Sequence, residues 1–229
     1  MNAVTTADSA NPTVVAVTPA RVAPRWEAWL LPPATILVIV VGAVLLLMTP
    51  MWMHVALRAS GGSDAFITQQ QSLEVSDRTV AALLLGQGTF SELFTADEVS
   101  HLRDASLVLY VFLVPAAASL VLLVSSGLRR GSDPIMWRAV ARGGSILVVG
   151  TVVLGTLAFV AFDVAFELFH RIFFPGGNWA FPPNSMLIRL YPYAFWELTS
   201  LALGLLLVAA GAGVWFLARR KAVRLEKRP

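Results

Sequence analysis

Residues 95–124 read TADEVSHLRDASLVLYVFLVPAAASLVLLV. Thr95 stands three residues before Glu98, the capping-box arrangement that starts a helix. After Asp104 the charges stop, and residues 107–124 are almost wholly apolar. The spacing predicts one helix that begins in water and runs unbroken into a hydrocarbon core. Eighteen residues at ~1.5 Å each come close to the ~30 Å such a core requires. Pro115 interrupts the apolar part, which lipid tolerates only where neighbours satisfy the freed carbonyl.

Three further apolar stretches of similar length lie at residues 30–48, 146–166 and 199–217. The whole chain of 229 residues is 57% hydrophobic and 14% charged, against roughly 25% charged in soluble domains. The expected fold class is therefore an all-α membrane protein with four transmembrane helices. Residues 50–106 are too long for a plain connection and are read as an extracytoplasmic helical loop. Within that loop Asp77 is expected to cap a short helix over 80–85, ended by Gly86 and Gly88. Residues 1–28 read as a disordered cytoplasmic arm ahead of a signal anchor, 29–218 as one membrane domain, and 219–229 as a basic cytoplasmic tail. Pro32 and Pro33 suit the start of the first helix. Gly150, Gly155, Gly204, Ala209 and Gly213 are expected to allow close helix contacts.

Charge sets the expected orientation. Arg129, Arg130, Arg138 and Arg142 face only Asp133 in the segment 126–142, and the tail carries Arg219, Arg220, Lys221, Arg224, Lys227 and Arg228. Arg21 and Arg25 lie in the arm. The loop 50–106 holds three arginines and seven acids. The positive-inside rule then puts both termini in the cytoplasm and the long loop outside. Trp26, Trp29, Trp52, Trp179 and Trp196 fit interfacial belts. The basic residues flank the spans, so they give no reason to expect nucleic acid.

The chain has no cysteine and three histidines. Thiolate catalysis, disulfides and cysteine metal sites are excluded. No G-x-S-x-G elbow, H-E-x-x-H pair or phosphate-binding glycine loop occurs. His101 and His170 sit at the outward ends of two different spans, where ionisable groups are costly and face a cavity or a partner. Asp104 follows His101 by three and Glu98 precedes it by three, so both share its helical face. Asp163, Glu167 and His170 fall within about 60° of arc on one helix, and Arg171 stands at i+4 from Glu167. A carboxylate on one ring nitrogen would raise the basicity of the other. His54 reads as an interfacial residue. Pro175-Gly176-Gly177-Asn178 is turn chemistry that should fold the chain back over the bundle mouth. Backbone N–H groups of that turn, Arg189 or the Asn178 amide could stabilise an oxyanion.

These residues supply acid and base but no dedicated nucleophile. They suit a substrate that carries its own nucleophile, or attack by water. Two histidines and several carboxylates could also hold a metal, although their spacing does not demand one.

The stretches LFTADEVSHLRD (93–104), FHRIFFPGGNWAF (169–181) and LIRLYP (187–192) together resemble a bacterial four-span integral membrane family, formerly of unknown function, that includes the lipoprotein intramolecular transacylase. The resemblance covers roughly residues 80–201. It implies movement of the sn-2 acyl chain of a diacylglyceryl-cysteine to the α-amino group of the same cysteine, giving a lyso-lipoprotein. It implies a diacylated lipoprotein N-terminus and membrane lipid as partners, a monomer, and neither metal nor other cofactor. One of His101 and His170 would then be the base and the other the acid, in either order, with Asp104 orienting His101. Glu98, Asp163, Glu167, Arg171, Asn178, Trp179 and Arg189 would support the site or bind substrate. A metal- or histidine-dependent lipid hydrolase and a non-catalytic lipid- or partner-binding module are the alternatives.

Overall fold

The computed structural model describes residues 27–65, 68–86, 90 and 92–227. Arg21, Arg25, Trp26, Gly88 and most of the N-terminal arm lie outside those residues. Among the described residues every regular element is helical. They are α1 (Glu27–Leu47), α2 (Pro50–Ser60), α3 (Gln69–Leu85), α4 (Ala96–Arg130), α5 (Pro134–Val160), α6 (Phe162–Phe173), α7 (Met186–Leu190) and α8 (Tyr193–Glu226), with one 3-10 turn at Gly62–Asp64. Four are long and apolar enough to cross a membrane: Ala28–Leu47, Ala96–Arg130, Pro134–Val160 and Tyr193–Glu226. The protein is a multi-pass integral membrane protein with four such helices among the described residues.

α4 starts as its capping box predicts. The Thr95 hydroxyl accepts from Glu98 N–H at 3.3 Å, and the Glu98 carboxylate accepts from Thr95 N–H at 2.7 Å. The helix then runs through Pro115 to Arg130. α1 begins before Pro32–Pro33 and carries both prolines inside it, so they are not its first residues. α8 reaches Glu226 and takes in the basic residues from Arg219 onward; Ala218 to Glu226 are mostly strong helix formers. Arg219 lies over Trp215, Arg220 over Phe216 and Lys221 over Trp137. Arg138 meets Glu226 at 2.5 Å. The α4–α5 connection and the end of α8 therefore share one end of the bundle.

α1 occupies the middle, packed on α4, α5 and α8, while α5 and α8 form the most extensive helix pair. Glycines explain the close approaches, but not those expected from sequence. A Cβ on Gly143 would stand 2.7 Å from the Pro32 carbonyl of α1, and one on Gly144 2.6 Å from the Gly211 carbonyl of α8. Gly150, Gly155, Gly204 and Gly213 have nothing within 4 Å of an added Cβ, and Ala209 is exposed. The span sequence has many small residues and no register to say which of them meet. Gly144→Val is therefore expected to lower the melting temperature of the detergent-purified protein strongly, as overpacking costs about 1–3 kcal/mol or more. Gly150→Ala is expected to leave it unchanged or raise it.

The opposite end carries a cap with its own apolar core. Met53, Ala56 and Leu57 of α2, Leu73 and Val80 of α3, Phe94, Leu102 of α4, Leu187 and Leu190 of α7, Tyr191 and Phe195 are all buried together. α3 is longer than predicted. Thr68 and Gln71 form a second capping box, and the helix runs from Gln69 to Leu85. Asp77 is thus inside the helix rather than at its cap, because the polar run QQQSLEVSD hides a helix start in what looks like loop. Asp77 instead receives His54, whose Nε2 lies 2.9 and 3.0 Å from its two carboxylate oxygens. The Tyr191 hydroxyl donates to Ser76 Oγ at 3.1 Å, and burial pushes that phenol up to about 12. Gly62 comes so near α7 that an added Cβ would lie 2.2 Å from the Leu190 carbonyl.

Candidate active site

The third apolar stretch does not continue to Phe166 as one helix. α5 ends at Val160, Ala161 takes an irregular conformation (φ −134°, ψ 59°), and α6 begins at Phe162. No glycine or proline marks the break. α6 presents three faces. Asp163, Glu167 and Arg171 form an exposed polar stripe, Val164, Leu168 and Ile172 an exposed apolar one, and Phe166 and His170 turn inward. Rings of Phe162 and Phe166 pack against Tyr193 at the start of α8.

This arrangement brings two histidines together. His101, about one and a half turns into α4, stacks on His170 with ring centroids 6.0 Å apart and planes 25° off parallel. Phe174 touches both rings, at 4.5 Å from His101 and 5.6 Å from His170. Phe181 flanks His101, and Phe166 and Trp179 flank His170. The imidazoles therefore sit in an aromatic enclosure at the cap end of the bundle.

Their hydrogen bonds differ from those the spacing suggested. His170 Nδ1 lies 2.7 Å from the Phe166 carbonyl, one turn back on α6. A carbonyl only accepts, so Nδ1 carries the proton and Nε2 keeps its lone pair. Neither Asp163 nor Glu167 serves His170. Asp163 accepts from the Tyr193 hydroxyl, and Glu167 pairs with Arg171 at 2.5 Å. Burial holds the His170 imidazole below its ordinary 6.5, and the bond to Phe166 opposes that only in part.

No hydrogen bond joins Asp104 to His101. Its carboxylate accepts from Asn178 Nδ2 at 2.6 Å, and the same amide nitrogen reaches Ser100 Oγ at 3.3 Å. Gly177, at φ 75°, makes the turn that delivers Asn178 to α4. His101 Nδ1 and Asn178 Oδ1 are buried with no hydrogen-bond partner among the described residues. Glu98, fully buried, accepts from Leu187 N–H at 2.8 Å and ties α7 to the start of α4. Arg189 is exposed on the last turn of α7. Sequence reasoning missed Phe166, Phe174 and Phe181, which an apolar stretch does not distinguish from lipid-facing aromatics. Among the described residues no group of three His, Asp or Glu side chains is spaced to hold a metal.

Residues 35–196 match the family model described as lipoprotein intramolecular transacylase Lit. The chain belongs to that family. Its fold is similar to the in meso structure of the membrane integral lipoprotein intramolecular transacylase Lit from Bacillus cereus, with a TM-score of 0.80 over 89% of this chain and 98% of that one at 16% identity. Two forms of that Bacillus cereus protein with a histidine mutation are also similar. The histidine-to-arginine form gives a TM-score of 0.72 at 16% identity, over 88% of this chain and 93% of that one. The histidine-to-alanine form gives 0.73 at 15% identity, over 89% and 96%. A protein of Aquifex aeolicus without an assigned function is 33% identical over 104 residues, 45% of this chain and 46% of that protein. The chain thus spans about half the length of the curated relative it matches. Membership in the Lit family agrees with the residue chemistry, in which two imidazoles meet and no thiol exists.

Proposed function

We propose that this chain is a lipoprotein intramolecular transacylase, moving the sn-2 acyl chain of a diacylglyceryl-cysteine to that cysteine's α-amino group. Family membership supports the activity, and the stacked His101–His170 pair is the observation that carries it. The amine and the ester belong to one molecule. Holding them in line can therefore supply about 7–11 kcal/mol of the barrier through proximity.

His170 is the base. Its Nδ1–H is committed to the Phe166 carbonyl, so Nε2 takes the proton as the amine nitrogen attacks the ester carbon. The N–C bond forms and the C–O bond to the sn-2 oxygen breaks. His101 gives that oxygen a proton as it takes one from His170 on its other nitrogen, so both rings end neutral. The products are an amide and a free sn-2 hydroxyl.

The site faces the outer leaflet of the cytoplasmic membrane, and the basic end of the bundle faces the cytoplasm. The three faces of α6 suit a helix lying at the membrane surface, with Val164, Leu168 and Ile172 in the acyl region and Asp163, Glu167 and Arg171 toward water. The protein acts as a monomer on a diacylated lipoprotein N-terminus, with no metal or other cofactor.

The central test is conversion of a synthetic diacylglyceryl-cysteine lipopeptide by the purified protein, with the product's acyl position read by mass spectrometry. Release of free fatty acid without N-acylation would indicate a hydrolase instead. The pH profile gives a second check. His170 is depressed, so it is already neutral and competent as a base at pH 7. The substrate α-amine, near ~8, is still largely protonated there. The acid limb of kcat/KM is therefore expected to follow the amine, rising through about pH 8. A limb below about 6.5 would make a histidine the limiting group.

A further inference from the structure

Asn178 is held by one end only. Its Nδ2 donates to the Asp104 carboxylate at 2.6 Å and reaches Ser100 Oγ at 3.3 Å, while its Oδ1 is buried with no partner among the described residues. The two ends of an amide are assigned from the network around them, and here the network allows one answer. Turned over, Oδ1 would lie against a carboxylate at 2.6 Å, acceptor against acceptor. Asp104 therefore fixes the amide so that a carbonyl oxygen, not an NH2 group, is presented on the other side.

The location is the catalytic end of α4. Ser100 and Asp104 flank His101, and Trp179, the next residue after Asn178, lies 5.0 Å from the His170 ring. Oδ1 is an acceptor only, so it calls for an N–H or O–H donor from a bound molecule. The acyl esters of the proposed substrate offer acceptors. The donor that must stand beside His170 is its α-amino group.

We infer that Asn178 Oδ1 receives an N–H of the substrate α-amine, and that Asp104 is a positioning residue acting through Asn178. This rests on the transacylase reading. An amine with one N–H on Asn178 and another on His170 Nε2 has its lone pair directed away from both, toward the ester carbon. The amide donors of Asn178 are already engaged by Asp104 and Ser100, so they are not the groups that meet the oxyanion.

The test uses the purified full chain, the diacylglyceryl-cysteine lipopeptide and its des-amino analogue, in which hydrogen replaces the α-amino group. Wild type is expected to bind the amine form more tightly, because the analogue loses the bonds to both Asn178 and His170. In Asn178→Ala that preference should fall about tenfold, the worth of one hydrogen bond in a dry site, while the des-amino analogue binds as before. Asp104→Asn keeps a hydrogen bond to Asn178 but no longer dictates which end it takes. It should give an intermediate preference, and it provides the same readout should the alanine variant misfold. A wild-type preference retained in either variant would overturn the inference. Wild type that binds the lipopeptide and makes no N-acylated product would overturn the transacylase reading itself, a failure visible without any variant.

Discussion

His170→Ala is expected to lower N-acyl transfer to the lipopeptide by about 10²–10⁴-fold, the usual worth of a positioned acid or base. The loss should appear in kcat, because the ring acts on the proton rather than on the acyl chains. His101→Ala should lose as much. If the stacked rings work as a unit, the double variant will be little worse than either single one. His170 fills an aromatic enclosure with Phe166, Phe174 and Trp179, so alanine also leaves a cavity. His170→Phe separates the two effects. It keeps ring volume while removing Nε2, and should melt close to wild type with no transfer. Substantial activity in a well-folded His170→Phe protein would remove His170 from the mechanism.

The four spans were legible because lipid imposes one rule on every backbone polar group, and long apolar runs follow from it. The helix start at Thr95 was legible for a local reason: a capping box is a four-residue interaction. The same kind of signal at Thr68–Gln71 went unread, since the residues after it are too polar to suggest a buried face. The histidines could be found by their rarity and position, and the structure brings them within stacking distance. Their partners could not be found that way. Helical spacing put Asp104 beside His101 and Glu167 beside His170, but spacing ranks neighbours on one helix and ignores other elements. Asn178 arrives from the Gly177 turn, 74 residues along the chain from Asp104, and takes its carboxylate. The break at Ala161 leaves Asp163 and Glu167 exposed to Tyr193 and Arg171 rather than to the imidazole. The glycine contacts failed for a similar reason: Gly143, Gly144 and Gly211 differ from Gly150 only in which helix lies opposite.

Glu98→Ala is expected to destabilise the cap strongly. The carboxylate is fully buried, and it accepts from Thr95 N–H at 2.7 Å, the Thr95 hydroxyl at 2.9 Å and Leu187 N–H at 2.8 Å. All three groups are donors, a demand that an ionised carboxylate meets. Removing it costs a helix cap, worth about 1 kcal/mol. It also leaves the Leu187 amide buried without a partner, at about 1–3 kcal/mol. A loss of roughly 2–4 kcal/mol in total is expected, read as a lower melting temperature in detergent. Glu98→Gln is expected to recover only part of it, since its NH2 end must face one of the three donors. The effect should reach the site as well. α7 and the start of α4 share this one residue, and His101 stands three residues further along the same helix. The loss of anchoring should therefore raise KM for the lipopeptide before it lowers kcat, the reverse of the pattern expected at His170. Equal kcat losses in Glu98→Ala and His170→Ala, with KM unchanged, would mean that Glu98 acts on the reaction itself rather than on the frame that holds it.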